Sequence, residues 1–152
     1  MLLFKLSIMK KILLLIITIS IFALTDSKAQ QGEGTLMISG AADVIRTDIP
    51  GVIRRYQAGL EANYFLRYFW SASAGYEFNH NRPNQVTLGT RLYMVDPIFI
   101  RVRGLLGSES DVALGIGYSH NLGYRFRLEG MVDYYAVAQA AGLRGGISIL
   151  LN

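Results

Sequence analysis

From about residue 35 to the end of the chain, apolar and polar residues alternate with a period of two, segment after segment. Successive side chains on a β-strand point to opposite sides, so this pattern makes strands with two unlike faces. In one segment Tyr56, Ala58, Leu60, Ala62, Tyr64 and Leu66 share a face opposite Arg55, Gln57, Gly59, Glu61 and Asn63. In the next, Trp70, Ala72, Ala74, Tyr76 and Phe78 oppose Ser71, Ser73, Gly75, Glu77 and Asn79. Later segments set Ile98, Ile100, Val102 and Leu106 against Arg101 and Arg103, and Phe126, Leu128, Val132 and Tyr134 against Arg127, Glu129 and Asp133. Seven turn-like breaks, holding all three prolines, leave eight segments: about 35–47, 54–66, 69–80, 86–95, 98–107, 112–121, 124–137 and 143–151. The prolines sit where a missing N–H does no harm to a ladder.

The charges sort by face as well. Asp43, Arg55, Glu61, Glu77, Arg91, Arg101, Arg103, Arg127, Glu129, Asp133 and Arg144 lie within segments, all on the polar face. Two architectures accommodate eight such strands. In a soluble barrel or sandwich the apolar faces make the core. In a transmembrane barrel the apolar faces meet lipid and the polar faces fill the lumen.

Three features select the second. The polar face is rich in small residues (Gly59, Ser71, Ser73, Gly75, Gly89, Ala113, Gly115, Gly117, Ser119), and the segments hold no lysine. Small side chains suit the cramped interior of eight strands, whereas a water-facing surface favours long charged ones. Aromatics gather towards strand ends on the apolar face, with Tyr64, Trp70, Tyr118 and Phe126 at one rim and Tyr56, Tyr76, Phe78 and Tyr134 at the other. That is the arrangement of two interfacial girdles. Strands of about 10 residues, tilted about 45°, span roughly the 25 Å apolar band of such a barrel. The expected fold is therefore all-β: a closed eight-stranded antiparallel up-and-down transmembrane β-barrel. Closure pairs every backbone group and leaves no edge, so a monomer is expected.

The N-terminus carries an address. Lys5, Lys10 and Lys11 precede the apolar run Ile12–Leu24, and Ser27 and Ala29 form a small-x-small site. This reads as a secretory signal peptide over residues 1–29, cut after Ala29, with the start at Met1 or Met9. A short segment, 30–34, then leads into the barrel at 35–152. Four lysines and Asp26 leave with the signal, so 15 basic and 11 acidic residues become 11 and 10. A net charge near +1 gives no basic surface for nucleic acid. With no cysteine in the chain, disulfide scaffolds, lipid attachment at a cysteine and cysteine-ligated zinc are excluded.

In signal peptide, strand count, alternation and aromatic placement, residues 35–152 resemble the small eight-stranded outer-membrane barrels of the OmpX and OmpA-transmembrane-domain type. The resemblance implies an outer-membrane location, a lumen filled by arginines and carboxylates, and a non-enzymatic role in envelope structure or surface interaction. Its implied partners are outer-membrane lipid and the secretion and barrel-assembly machineries. Such chains commonly end in an aromatic residue; this one ends Ile149-Leu150-Leu151-Asn152.

Some barrels of this size modify lipid, which requires a nucleophile and base held by a carboxylate. The two histidines offer little for that. His80 heads a turn, and His120 is adjacent to Ser119, so the two point to opposite faces. No Gly-x-Ser-x-Gly elbow occurs, and no histidine and carboxylate spacing suggests a metal or other cofactor. A secreted soluble barrel holding an apolar ligand is the remaining alternative; it requires Leu60, Ile116 and Val132 to face inward. Within the lumen, a side-by-side placement of Arg101, Gly117 and Glu129 is expected, with Arg101 and Arg103 reaching across the small residues of the sixth strand towards Glu129 and Asp133.

Overall fold

The computed structural model describes residues 31–48, 57–80 and 82–151. The proposed signal peptide, Arg55 and Tyr56 lie outside them. Eight strands follow one another: β1 (Leu36–Arg46), β2 (Gln57–Arg67), β3 (Trp70–Asn79), β4 (Gln85–Val95), β5 (Ile98–Leu106), β6 (Asp111–Asn121), β7 (Phe126–Tyr135) and β8 (Ala140–Leu151). Each pairs antiparallel with its sequence neighbour, and β8 pairs with β1 to close the barrel. The closing seam runs from Leu36 opposite Leu151 to Arg46 opposite Gly142. Among the described residues there is no helix. The expected fold class holds in its strand number, order and closure.

Strand ends differ from the sequence reading in places. β8 begins at Ala140 rather than near residue 143, so the β7–β8 connection is only 136–139. Residues 140–142 are Ala-Ala-Gly, with too little contrast between faces for alternation to show. The connections at 68–69, 96–97 and 122–125 join strands at the end that also holds both chain ends of the barrel, here called the lower end. The described connecting residues 47–48, 80, 82–84, 107–110 and 136–139 lie at the upper end.

The wall is apolar outward. Leu60, Ile116 and Val132 are 57%, 56% and 49% exposed, and Leu88, Val102 and Ile147 also face out. Tyr64, Trp70, Tyr118 and Phe126 ring the lower end on the outside, extended by Tyr68, Phe69 and Tyr124 in the turns. Tyr76 and Phe78, in edge contact with ring centres 4.9 Å apart, and Tyr134 stand towards the upper end. The inside is polar at mid-height. Arg91, Arg101, Arg103 and Arg144 are no more than 2% exposed, as are Glu77, Glu129 and Asp133.

The interior is not polar throughout. Met37, Phe65, Tyr93, Phe99, Met131 and Leu150 form a buried apolar cluster in its lower part, and Leu105, Ala113 and Tyr135 form a second in its upper part. Apart from Met131, which stands between Glu129 and Asp133 on β7, these are inward residues towards strand ends, on the same face as the charges. Between the two clusters stands the charged layer.

Candidate functional site

The charged layer is one connected file. Arg91 bridges Glu129 (3.0 Å) and Glu61 (2.7 Å). Arg101 lies 3.9 Å from the far oxygen of Glu61 and donates to Asp133. Asp133 also accepts from Arg103 at 3.1 Å, and Arg103 donates onward to Glu77. Glu77 takes two bonds from Arg144, at 2.6 and 2.7 Å, and Arg144 Nε stands 3.3 Å from Asp43. Arg46 ends the file, 3.9 Å from Asp43 and 3.0 Å from Asp48. Signs alternate at every step, so each guanidinium inside the layer has carboxylates on two sides. Unpaired buried charge is very costly, and this arrangement leaves none of these eleven groups alone.

The file draws on seven strands. Glu129 and Asp133 come from β7, Arg91 from β4, Glu61 from β2, Arg101 and Arg103 from β5, Glu77 from β3, Arg144 from β8, and Asp43 and Arg46 from β1. β6 contributes no charge to it. Its inward residues are Ala113, Gly115, Gly117 and Ser119, and its role is to leave room. A Cβ placed on Gly115 would lie 2.0 Å from Asp133 Oδ1. Gly59 and Gly75 make similar space elsewhere: a Cβ on Gly59 would meet the Glu77 carboxylate at 2.6–2.8 Å, and one on Gly75 the Leu60 carbonyl oxygen at 2.4 Å.

The sequence-derived site residues fall as follows. Asp43, Glu61, Glu77, Arg91, Arg101, Arg103, Glu129, Asp133 and Arg144 are members of the file. Arg127 is buried apart from it at the lower end and donates to Gln31 Oε1 at 2.6 Å. Arg55 lies outside the described residues. The expected side-by-side placement of Arg101, Gly117 and Glu129 is two residues out of step. Arg101 stands opposite Gly115, which stands opposite Asp133, while Ser119 is the partner of Glu129. Both β5 arginines therefore meet at Asp133, and Glu129 is taken by Arg91.

Two members escaped the sequence reading. Arg46 sits at the very end of its strand and Asp48 beyond it, where periodicity gives no face. Yet the Arg46 guanidinium is lodged over the Tyr135 ring, 4.0 Å from its centre, and donates to Gln57. The inward apolar clusters were also missed, because Phe65, Tyr93, Phe99 and Leu105 follow or precede outward residues that are equally apolar. Ser119 is buried in the lumen while His120, next to it, faces the outer wall. His80 is exposed at the upper end. The two histidines are thus at opposite ends of the barrel.

No family model and no curated protein matches the chain. Solved structures do resemble it. A de novo designed transmembrane β-barrel aligns over 80% of this chain and 99% of its own, at 16% identity and a TM-score of 0.64. A second designed barrel, TMB2.3, solved by solution NMR, aligns over 81% and 98%, at 22% identity and a TM-score of 0.64. Neisserial surface protein A aligns over 76% and 96%, at 13% identity and a TM-score of 0.41. At these identities the likeness to the two designed barrels is one of fold alone.

Proposed function

We propose that the chain is a small non-enzymatic outer-membrane barrel, exported by its N-terminal signal peptide, that contributes to envelope structure or surface interaction. One observation carries this reading. The wall exposes Leu60, Leu88, Ile116, Val132 and Ile147, while five arginines and their carboxylates are paired inside. In water that distribution is upside down; in a bilayer it is the low-energy one. Strands of 9 to 12 residues supply the height. The likeness to designed transmembrane barrels supports the same reading at the level of fold. A soluble barrel with an apolar ligand would need Leu60, Ile116 and Val132 inside, and they are outside. The protein works as a monomer in contact with outer-membrane lipid, placed there by the secretion and assembly machineries.

Single cysteines at Leu60, Ile116 and Val132 test this in cells. The expected result is labelling by a lipid-phase maleimide and protection from a charged, water-soluble one, in protein that migrates differently with and without boiling. Labelling by the charged reagent, or recovery of the protein in the soluble periplasm, refutes the reading.

A further inference from the structure

The upper mouth holds a cavity of about 400 Å³, within the range of small-molecule sites. Its lining is polar but already neutralised. Arg46 is engaged by Asp48 and Gln57, and Arg82 lies 3.4 Å from Glu109. Asp111 accepts backbone N–H groups of Val112, Val137 and Ala138 at 2.7–3.2 Å. What remains for a ligand is the spare capacity of uncharged groups, Gln57, Asn79, Gln85, Ser108 and Ser110, beside an apolar floor of Leu105 and Ala138. Of these, Gln57 also bonds Arg46, Gln85 also bonds Asn79 and the Glu109 carbonyl, and Ser110 also exchanges bonds with Gly107.

Asn79 has a spare acceptor. Its amide nitrogen donates to the Pro83 carbonyl at 3.0 Å and to Gln85 at 3.3 Å. Its Oδ1 is buried with no protein partner, and among the lining residues it is the one side chain of which this is true. The other orphaned atoms belong to residues inside the barrel, whereas Asn79 borders the cavity. The soft terminal torsion of an asparagine lets that oxygen turn towards a donor, in exchange for the bonds its own amide nitrogen makes to Pro83 and Gln85. A buried acceptor gains from any hydroxyl that reaches it.

From this lining we propose that the upper mouth binds a neutral, hydroxyl-rich ligand of mono- or disaccharide size. Hydroxyls would meet the amides and the Asn79 oxygen, and the C–H faces of a sugar ring would lie against Leu105 and Ala138. With every charged lining group engaged, an anionic ligand would meet no free cation. This deepens the surface-interaction reading and rests on it only for the side from which the ligand arrives.

The test uses isotope-labelled protein refolded in detergent, titrated with a panel of neutral mono- and disaccharides and with a sulfated disaccharide. Orientation in a membrane plays no part there, so failure to bind and failure to insert are separate results. The expected outcome is saturable, millimolar chemical-shift change at Asn79, Gln85 and Tyr135, with Phe99 and Leu150 at the lower end unmoved. Asn79→Ala should weaken binding about three- to tenfold, the worth of one neutral hydrogen bond. Ser108→Trp, at an exposed position on the rim, should fill the mouth and abolish binding while leaving the barrel folded. No saturable shift with any neutral sugar, tighter binding of the sulfated one, or unchanged affinity in Ser108→Trp overturns the proposal.

Discussion

Glu77 serves two guanidinium groups at once, taking paired bonds from Arg144 and another from Arg103. Removing one member of a buried pair is worse than removing both, because the survivor keeps its charge and loses its partner. Glu77→Leu should therefore lower unfolding stability in lipid vesicles by about 3–5 kcal/mol. The double variant Glu77→Leu with Arg144→Met leaves Arg103 on Asp133 and Asp43 near Arg46. It should lie closer to the wild type than Glu77→Leu does, with a coupling energy of about 0.5–3 kcal/mol in a urea-unfolding cycle. Additive losses would show that the two side chains do not act as a pair. At this scale the sequence was informative about sign and face: Glu77 and Arg144 stand on the polar side of their strands. It could not say which arginine reaches which carboxylate. Their closest contact joins β3 to β8, strands that are not neighbours in the sheet, across a lumen whose width no local pattern encodes.

Among the strands, β6 shows how an element can matter through what it lacks. A Cβ on Gly117 would come within 2.3 and 2.7 Å of the Phe99 ring and 2.8 Å of Met131, all packed inside. Gly130, its diagonal neighbour on β7, faces outward, and a Cβ there meets nothing within 4 Å. Gly117→Ala should cost about 1–3 kcal/mol by overpacking. Gly130→Ala should be neutral or gain up to about 1 kcal/mol by stiffening the unfolded chain. Equal effects in thermal unfolding would contradict this division of the glycines into space-makers and bystanders. The strands themselves were legible because one face is charged and small while the other is apolar, as in Ser71–Glu77 or Arg101–Arg103. Legibility failed where that contrast fails. Ala140 to Gly142 are small on both faces, which hid the start of β8. Phe65 and Tyr93 are as apolar as their outward neighbours, which hid the lower cluster. Register failed for a different reason: Arg101 pairs with Gly115 and Glu129 with Ser119 through unbroken ladders, and a shift of two residues leaves every side chain on its face, so alternation cannot choose between such registers.

Taken as a whole, the barrel is sealed in series. An ion travelling along the axis from below would meet the cluster of Met37, Phe65, Tyr93, Phe99, Met131 and Leu150, then the file of alternating charges, then Leu105, Ala113 and Tyr135. The apolar layers raise the cost of bringing in a bare charge, and the paired layer offers it no counter-ion that is not already taken. Eight strands enclose a space that side chains alone can fill. The wild-type protein should thus insert into planar bilayers without steady conductance. Thinning only the lower cluster, by Phe65→Ala with Phe99→Ala, should leave the bilayer silent, since the ion pairs above it stay in place. Adding Glu77→Leu to that background opens the second barrier, and intermittent conductance should then appear. Steady ohmic current through the wild type would show that the lumen is not closed in a bilayer. Current through the two-phenylalanine variant alone would put the whole seal in the apolar layer and leave the charges a purely structural part, holding strands together from the inside.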